Sequence, residues 1–223
     1  MCALIVRIES AGPDLRARRI FFDGDPDYRA TASTVVKRLA ITEGMEIDRA
    51  TLEAELAVEE LPLAKERALK LLGYRERSAF EVHRKLRDSG FPESVSGAVV
   101  ERFRDIELID DDRFAHAWTR SRRAGGYGEQ RIARELAEKG VDPNLIAAAL
   151  QTDDGADEID RAVASLRGKA PTDKTDSQRL VKRLLGRGFS LSVAREAVSR
   201  ADGSADTGVG DCDDGDTVDD LRK

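Results

Sequence analysis

The chain has 223 residues, of which 40 % are hydrophobic, 36 % charged and only 5 % aromatic, a composition of helix-rich globular protein with too few aromatics for an all-β core. Its longest apolar runs, Ala3–Val6 and Leu145–Leu150, fall far short of the roughly 20 residues of a spanning helix, so no membrane partner is expected. The opening MCALIVRIES carries neither a basic leader nor a long apolar run, which points to the cytoplasm, and the net charge of -6 argues against a bulk nucleic-acid binder.

Two short runs rich in β-branched or aromatic residues, Ala3–Glu9 and Ala17–Phe22, read as strands, and the Asp23-Gly24 turn leads to a third near Tyr28–Ala30. Ser33 is placed to cap a helix over Val35–Ile41, which Gly44 ends. A further helix is expected from Asp48 to Val58, with Pro62 as a boundary.

From Leu63 the sequence repeats itself. Val82, Leu86, Gly90, Phe91, Val95 and Val99 recur as Ile132, Leu136, Gly140, Val141, Leu145 and Ala149, and again as Leu180, Leu184, Gly188, Phe189, Val193 and Ala197. Each set describes a helix closed by a glycine in the left-handed conformation, an apolar residue, and a second helix with apolar spacing of four. The structural roles assigned to Gly90, Gly140 and Gly188 follow from that pattern. Ser78-Ala79-Phe80-Glu81 has the form of a capping box, Asp142-Pro143 pairs an N-cap with a first-turn proline, and Ser190 precedes the last helix. Another helix leads into each pair, over Ala64–Leu72, Asp112–Arg123 and Glu158–Leu166, the middle one capped by Asp110 or Asp111.

The expected fold is therefore mainly α. Tandem three-helix, helix-turn-helix-like repeats form an elongated array behind a small N-terminal α+β segment. The expected divisions are 1–62 for that segment, 63–110, 111–155 and 156–201 for the repeats, and 202–223 for an acidic tail. Apolar stripes assign Phe80, Phe91, Phe114 and Trp118 to the core.

The tail holds eight Asp against Arg222 and Lys223, leaving 35 basic and 35 acidic residues in the body. With almost no apolar residues it is expected to be disordered, serving solubility or masking basic surface. Within the neutral body, Arg113–Lys139 has seven basic and three acidic residues, and Arg161–Arg200 has ten and three. The first stretch brings Arg120, Arg122, Arg123, Arg131 and Arg134 around Gly125-Gly126-Tyr127-Gly128. Guanidinium forks suit phosphates and carboxylates, and Tyr127 suits a base or a partner's pocket. The glycines alone suggest a flexible turn before a phosphate cradle, since no strand precedes them. In the second stretch Arg179, Lys182, Arg183 and Arg187 fall on one helical face opposite Leu180 and Leu184.

Chemistry beyond binding has no evident seat. Nucleotide-loop, dinucleotide, zinc-protease and nucleophile-elbow motifs are missing, Cys2 and Cys212 stand at opposite ends, and His83 and His116 belong to different helices. Asp110-Asp111-Asp112 point in different directions from a helix start, so capping is favoured over a cation site. No enzymatic activity, cofactor or metal is expected.

Ile109-Asp110-Asp111-Asp112-Arg113-Phe114-Ala115, Arg120-Ser121-Arg122-Arg123, Gly126-Tyr127-Gly128, Arg131-Ile132, Glu135-Leu136 and Lys139-Gly140-Val141 together resemble the central signature of the RecX family, regulators of the RecA recombinase. Arg77-Ser78, Glu81-Val82, Lys85-Leu86 and Gly90-Phe91 extend the resemblance, which spans Leu63 to Ala201. It implies a non-enzymatic monomer that lies in the groove of the RecA filament on single-stranded DNA. Such proteins inhibit ATP hydrolysis and strand exchange within DNA repair and the SOS response. The competing reading is an autonomous helix-turn-helix DNA-binding protein, which the neutral body and acidic tail disfavour.

Overall fold

Four antiparallel strands open the fold: β1 (Cys2–Ala11), β2 (Ala17–Phe22), β3 (Tyr28–Ala32) and β4 (Glu46–Asp48), in the spatial order β3-β2-β1-β4. They belong to a computed structural model that describes residues 2–12, 16–151, 157–166, 169 and 171–203. Residues 204–223, where the disordered tail was expected, lie outside the described residues. No helix among the described residues is long and apolar enough to cross a membrane.

Alternation decides the two faces of the sheet. Ile5, Ile20 and Phe22 point inward and are buried, while Arg7, Phe21 and Tyr28 form one outward row across β1, β2 and β3. The Arg7 guanidinium lies 4.3 Å from the Phe21 ring centre, a cross-strand pairing that suits an exposed face. The three-residue β4 carried no periodic signal.

Two helices depart from the expected pattern. α1 (Ser33–Arg38) is capped by Ala32 without a side-chain bond, not by Ser33. The Ser33 amide donates to the Arg16 carbonyl at 2.6 Å, so extended pairing runs through Ala32 and Ser33 enters the first turn. α2 (Arg49–Tyr74) runs without interruption through Pro62, where the sequence suggested a break. An interior proline costs about 3 kcal/mol. Here Leu52, Leu56, Glu60, Ala64, Ala68 and Leu71 make a continuous buried stripe on both sides of it, and that burial outweighs the local cost. Glu60, 1 % exposed, is the charged member of the stripe.

The repeat helices follow: α3 (Ala79–Asp88), α4 (Glu93–Asp105), α5 (Asp111–Ala124), α6 (Glu129–Glu138), α7 (Pro143–Gln151), α8 (Glu158–Ser165), α9 (Lys174–Gly186) and α10 (Leu191–Gly203). The described residues form two compact units, one within 1–118 and 135–151, the other within 119–134 and 157–203. In the first, Ile5, Ile20, Leu52, Leu56, Val82, Leu86 and Val99 are fully buried in one core. In the second, Leu166, Leu180, Leu184, Phe189 and Ala197 form another.

The recurring positions are the structural backbone of the repeats. Gly90, Gly140 and Gly188 have φ of +94°, +71° and +89°, and the following residue returns its amide to the carbonyl of Leu86, Leu136 or Leu184. This closes each helix in the manner of a Schellman motif. Each turn is then seated on what precedes it. A Cβ on Gly90 would meet the Thr31 carbonyl at 2.4 Å, one on Gly140 the Phe80 side chain at 2.5 Å, and one on Gly188 the Arg131 side chain at 2.2 Å.

Capping follows the sequence in most places. Asp142 accepts from the Asn144 amide, Ser190 from Val193, and Asp110 from Asp112 and Arg113. Asp111 turns away to accept the Ala79 amide at the start of α3 and pairs with Arg104, and Asp112 approaches His116 at 3.6 Å. The three carboxylates thus serve three separate sets of partners. Ser78 accepts from the Glu81 amide, but the Glu81 carboxylate does not complete the box; it binds Arg75 and Lys139, at 3.0 and 2.9 Å. Phe80 also departs from its expected core position, being 45 % exposed beside Gly140. It sits in the first turn of α3, ahead of the stripe that Val82 and Leu86 bury. Trp118 is half-buried, with its indole N–H donating to Glu135.

Burial opposes the Glu81 charge, but hydrogen bonds from Arg75 and Lys139 prevail and hold its pKa down, from 4.5 to about 2. The depressed value means that this stabilisation is complete above pH 4.5 and is lost as pH falls toward 2. A shift of this size corresponds to roughly 3 kcal/mol. Urea unfolding of wild type and Glu81→Gln should therefore differ most at pH 6 and converge by pH 2. Parallel curves across that window would remove the ion pair from the account.

Candidate functional site

All ten residues expected at a partner surface lie in the second unit, Arg120 to Arg134 in its first segment and Arg179 to Arg187 in its second. The centre is the turn between α5 and α6. Gly126 takes φ of +72°, and the Gly126 and Tyr127 amides return to the carbonyls of Arg123 and Arg122. The Tyr127 ring is half-buried between two guanidinium groups, with Arg131 4.4 Å and Arg122 5.6 Å from its centre.

This turn is pinned instead of loose. The Gly128 amide donates to the Arg187 carbonyl and the Gln130 amide to the Gly188 carbonyl, both at 3.1 Å. Gly128 is obligatory for that approach, because a Cβ there would meet the Phe189 nitrogen at 2.3 Å. The Glu129 amide donates to the Glu158 carboxylate at 3.0 Å. The first amides of α6 are thus spent within the protein, and the glycine turn does not present them to an external phosphate.

Charge around the turn divides by burial. Arg123 is 6 % exposed and pairs with Glu129 at 3.0 Å, and Arg161 reaches the same carboxylate at 3.1 Å. Arg187 donates to the Gly126 carbonyl at 3.2 Å. These three hold the turn. Burial and the Glu129 charge push the Glu158 pKa up, against its bond from the Glu129 amide and the charges of Arg161 and Arg123. Arg120 and Arg134 stand exposed on α5 and α6. On α9, Leu180 and Leu184 are buried as expected, Arg179 is exposed beside Asp176, Lys182 is exposed, and Arg183 is half-buried.

No local pattern announces Glu129, Glu158 and Arg161 as the network that fixes the turn. Their separations of 29 and 32 residues fall outside any local pattern. The two histidines lie elsewhere, His83 with its Nε2 2.9 Å from Glu93 and His116 near Asp112. Among the described residues no group of three or more His, Cys, Asp or Glu is arranged to hold a metal.

Comparison with known proteins concerns the family and the fold. Residues 64–103 match the family model described as RecX, first three-helix domain, and residues 110–150 the one described as RecX, second three-helix domain. The regulatory protein RecX of Mycolicibacterium smegmatis is 38 % identical over 146 residues, covering 61 % of this chain and 78 % of that protein. The regulatory protein RecX of Mycobacterium avium is 40 % identical over 137 residues, covering 58 % and 79 %. In fold, the chain resembles a crystal structure of regulatory protein RecX, with TM-score 0.56, 24 % identity and coverage of 89 % of this chain and 99 % of that one. It also resembles RecX from Lactobacillus salivarius, with TM-score 0.58, 24 % identity and coverage of 65 % and 98 %.

Proposed function

This chain belongs to the RecX family, and from that premise we propose that it is a non-enzymatic regulator that binds RecA and RecA–single-stranded DNA filaments. Binding lowers recombinase ATP hydrolysis and strand exchange, in the setting of DNA repair and the SOS response in the cytoplasm. The protein acts as a monomer and without a cofactor.

The observation that carries this reading is the pinned turn, where Tyr127 is held between Arg122 and Arg131 and flanked by the exposed Arg120 and Arg134. Tyrosine and arginine are the side chains from which binding hot spots are most often built, and a turn already fixed by backbone bonds loses little freedom on docking. Exposed guanidinium groups suit acidic protein surfaces and DNA phosphates alike. Tandem repeats set against a repeating filament add several modest contacts through effective concentration.

Arg120→Glu combined with Arg134→Glu tests the surface, because both side chains are exposed and unneeded for the turn. About tenfold more of this variant, near 1.4 kcal/mol, should be required for half-inhibition of RecA's ATPase, with unchanged helicity by circular dichroism. Undiminished inhibition would move the contact away from this turn. A parallel titration onto DNA without RecA separates the competing reading, which requires tight, salt-dependent DNA affinity of the protein alone.

A further inference from the structure

The repeats share one turn geometry but differ in what they display on it. In the first, Arg87 and Glu93 stand on either side of the turn between α3 and α4, and the guanidinium reaches the carboxylate at 3.2 Å. The equivalent positions are Ala137 and Pro143 in the second repeat, and Leu185 and Leu191 in the third. The backbone is the same in the first and third, where Gly90 and Gly188 have φ of +94° and +89° and Phe91 and Phe189 return their amides to Leu86 and Leu184. A surface ion pair is thus replaced by two leucines, 40 % and 47 % exposed.

Each leucine has a cation on its own helix face. Lys182 precedes Leu185 by one turn of α9 and Arg195 follows Leu191 by one turn of α10, the spacings that make side chains neighbours. Both cations are exposed, and neither has a hydrogen bond or ion pair among the described residues. The carboxylates on the same helices are committed elsewhere, Asp176 to Arg179 and Glu196 to Arg200. A single exposed leucine is ordinary. Two of them, at positions that another repeat closes with an ion pair and flanked by two unpaired cations, suit an apolar segment flanked by carboxylates.

Such a segment follows α10 in this chain. Asp213-Asp214-Gly215-Asp216-Thr217-Val218-Asp219-Asp220-Leu221 sets two apolar residues among aspartates. α10 has 13 residues, which puts Leu191 about 18 Å from Gly203, whereas the stretch from Gly203 to Val218 can span about 50 Å. The segment therefore reaches the patch. Two leucines offer far less than the roughly 1,200 Å2 that a stable complex between separate proteins buries, but a tethered ligand needs less because the connection sets its effective concentration.

We propose that the acidic segment 213–221 of the same chain occupies this patch, with Val218 and Leu221 against Leu185 and Leu191 and the aspartates beside Lys182 and Arg195. Docked there, it covers Lys182, a cation assigned to the partner surface, so a partner that uses that cation must displace it. This consequence rests on the regulatory reading, and the docking itself does not.

Zero-length carbodiimide crosslinking of the full chain, alone and at low micromolar concentration, tests the docking, because it joins only carboxylates and amines in contact. Mass spectrometry should find Lys182 linked to an aspartate between Asp213 and Asp220. In a mixture of isotope-labelled and unlabelled protein, each linked pair should be wholly labelled or wholly unlabelled, as within one chain. Leu185→Ser combined with Leu191→Ser should lower the link about fivefold with helicity and Tm unchanged, because both side chains are exposed. Val218→Ser combined with Leu221→Ser should lower it as much. The proposal is overturned if no link forms, if the segment links to other lysines in preference to Lys182, if mixed pairs show a second copy in the patch, or if the leucine variants leave the link undiminished and so reduce it to charge alone.

Discussion

Gly188→Ala is expected to destabilise the second unit by about 3–5 kcal/mol, the sum of a left-handed backbone forced on alanine and a methyl group forced into an occupied site. Gly188 has φ of +89°, and its new Cβ would lie 2.7 Å from the Arg131 backbone nitrogen and 2.2 Å from the Arg131 Cβ. The first of these atoms belongs to a helix backbone and cannot swing aside. The damage reaches the candidate interface, because the same turn accepts the amides of Gly128 and Gln130 and so fixes Tyr127. Gly186→Ala is the control, since nothing lies within 4 Å of its position in α9; it should be neutral or stabilising by up to about 1 kcal/mol. Urea unfolding monitored by circular dichroism measures both. A Gly188→Ala protein within about 1 kcal/mol of wild type would show that the turn is not seated as described.

Arg29→Ala should cost the first unit a similar amount, about 3–5 kcal/mol, by leaving a buried carboxylate without its cation. Glu60 is 1 % exposed and is held by Arg29 at 3.2 Å and by the Thr31 hydroxyl, which donates at 2.7 Å. Burial works against the Arg29 charge, but its bond to Glu53 and the charges of Glu60 and Glu53 raise its pKa regardless. Arg29→Ala combined with Glu60→Leu should recover most of the loss, because it removes the β3 cation together with the one charge in a stripe otherwise built of Leu52, Leu56, Ala64, Ala68 and Leu71. A double variant no more stable than Arg29→Ala alone would show that the pair contributes through shape and not through charge compensation.

The repeats were legible because their information is local. A glycine after two apolar residues four apart, then an apolar residue, states a helix, its end and the next helix, and Gly90, Gly140 and Gly188 adopt the left-handed backbone that this pattern requires. What escaped is what depends on distant partners. Pro62 looked like a stop, yet the stripe from Leu52 to Leu71 carries α2 through it. The burial of Glu60 depends on Arg29 and Thr31, which the sheet brings beside it. At the candidate interface the cluster of cations was visible from spacing alone, whereas its division was not. Arg123 and Arg187 hold the turn, while Arg120, Arg134, Arg179 and Lys182 face solvent. That division is set by Glu129 and by the Gly126 carbonyl, neither of which announces its partner in the sequence.

The most direct measurement of the central claim is RecA's ATP hydrolysis on single-stranded DNA as this protein is titrated from far below to well above the recombinase concentration. Inhibition that begins at substoichiometric ratios, with weak binding of the protein to DNA alone, is the result the account predicts. Unchanged hydrolysis at a large excess, with the protein folded and pure, would contradict it.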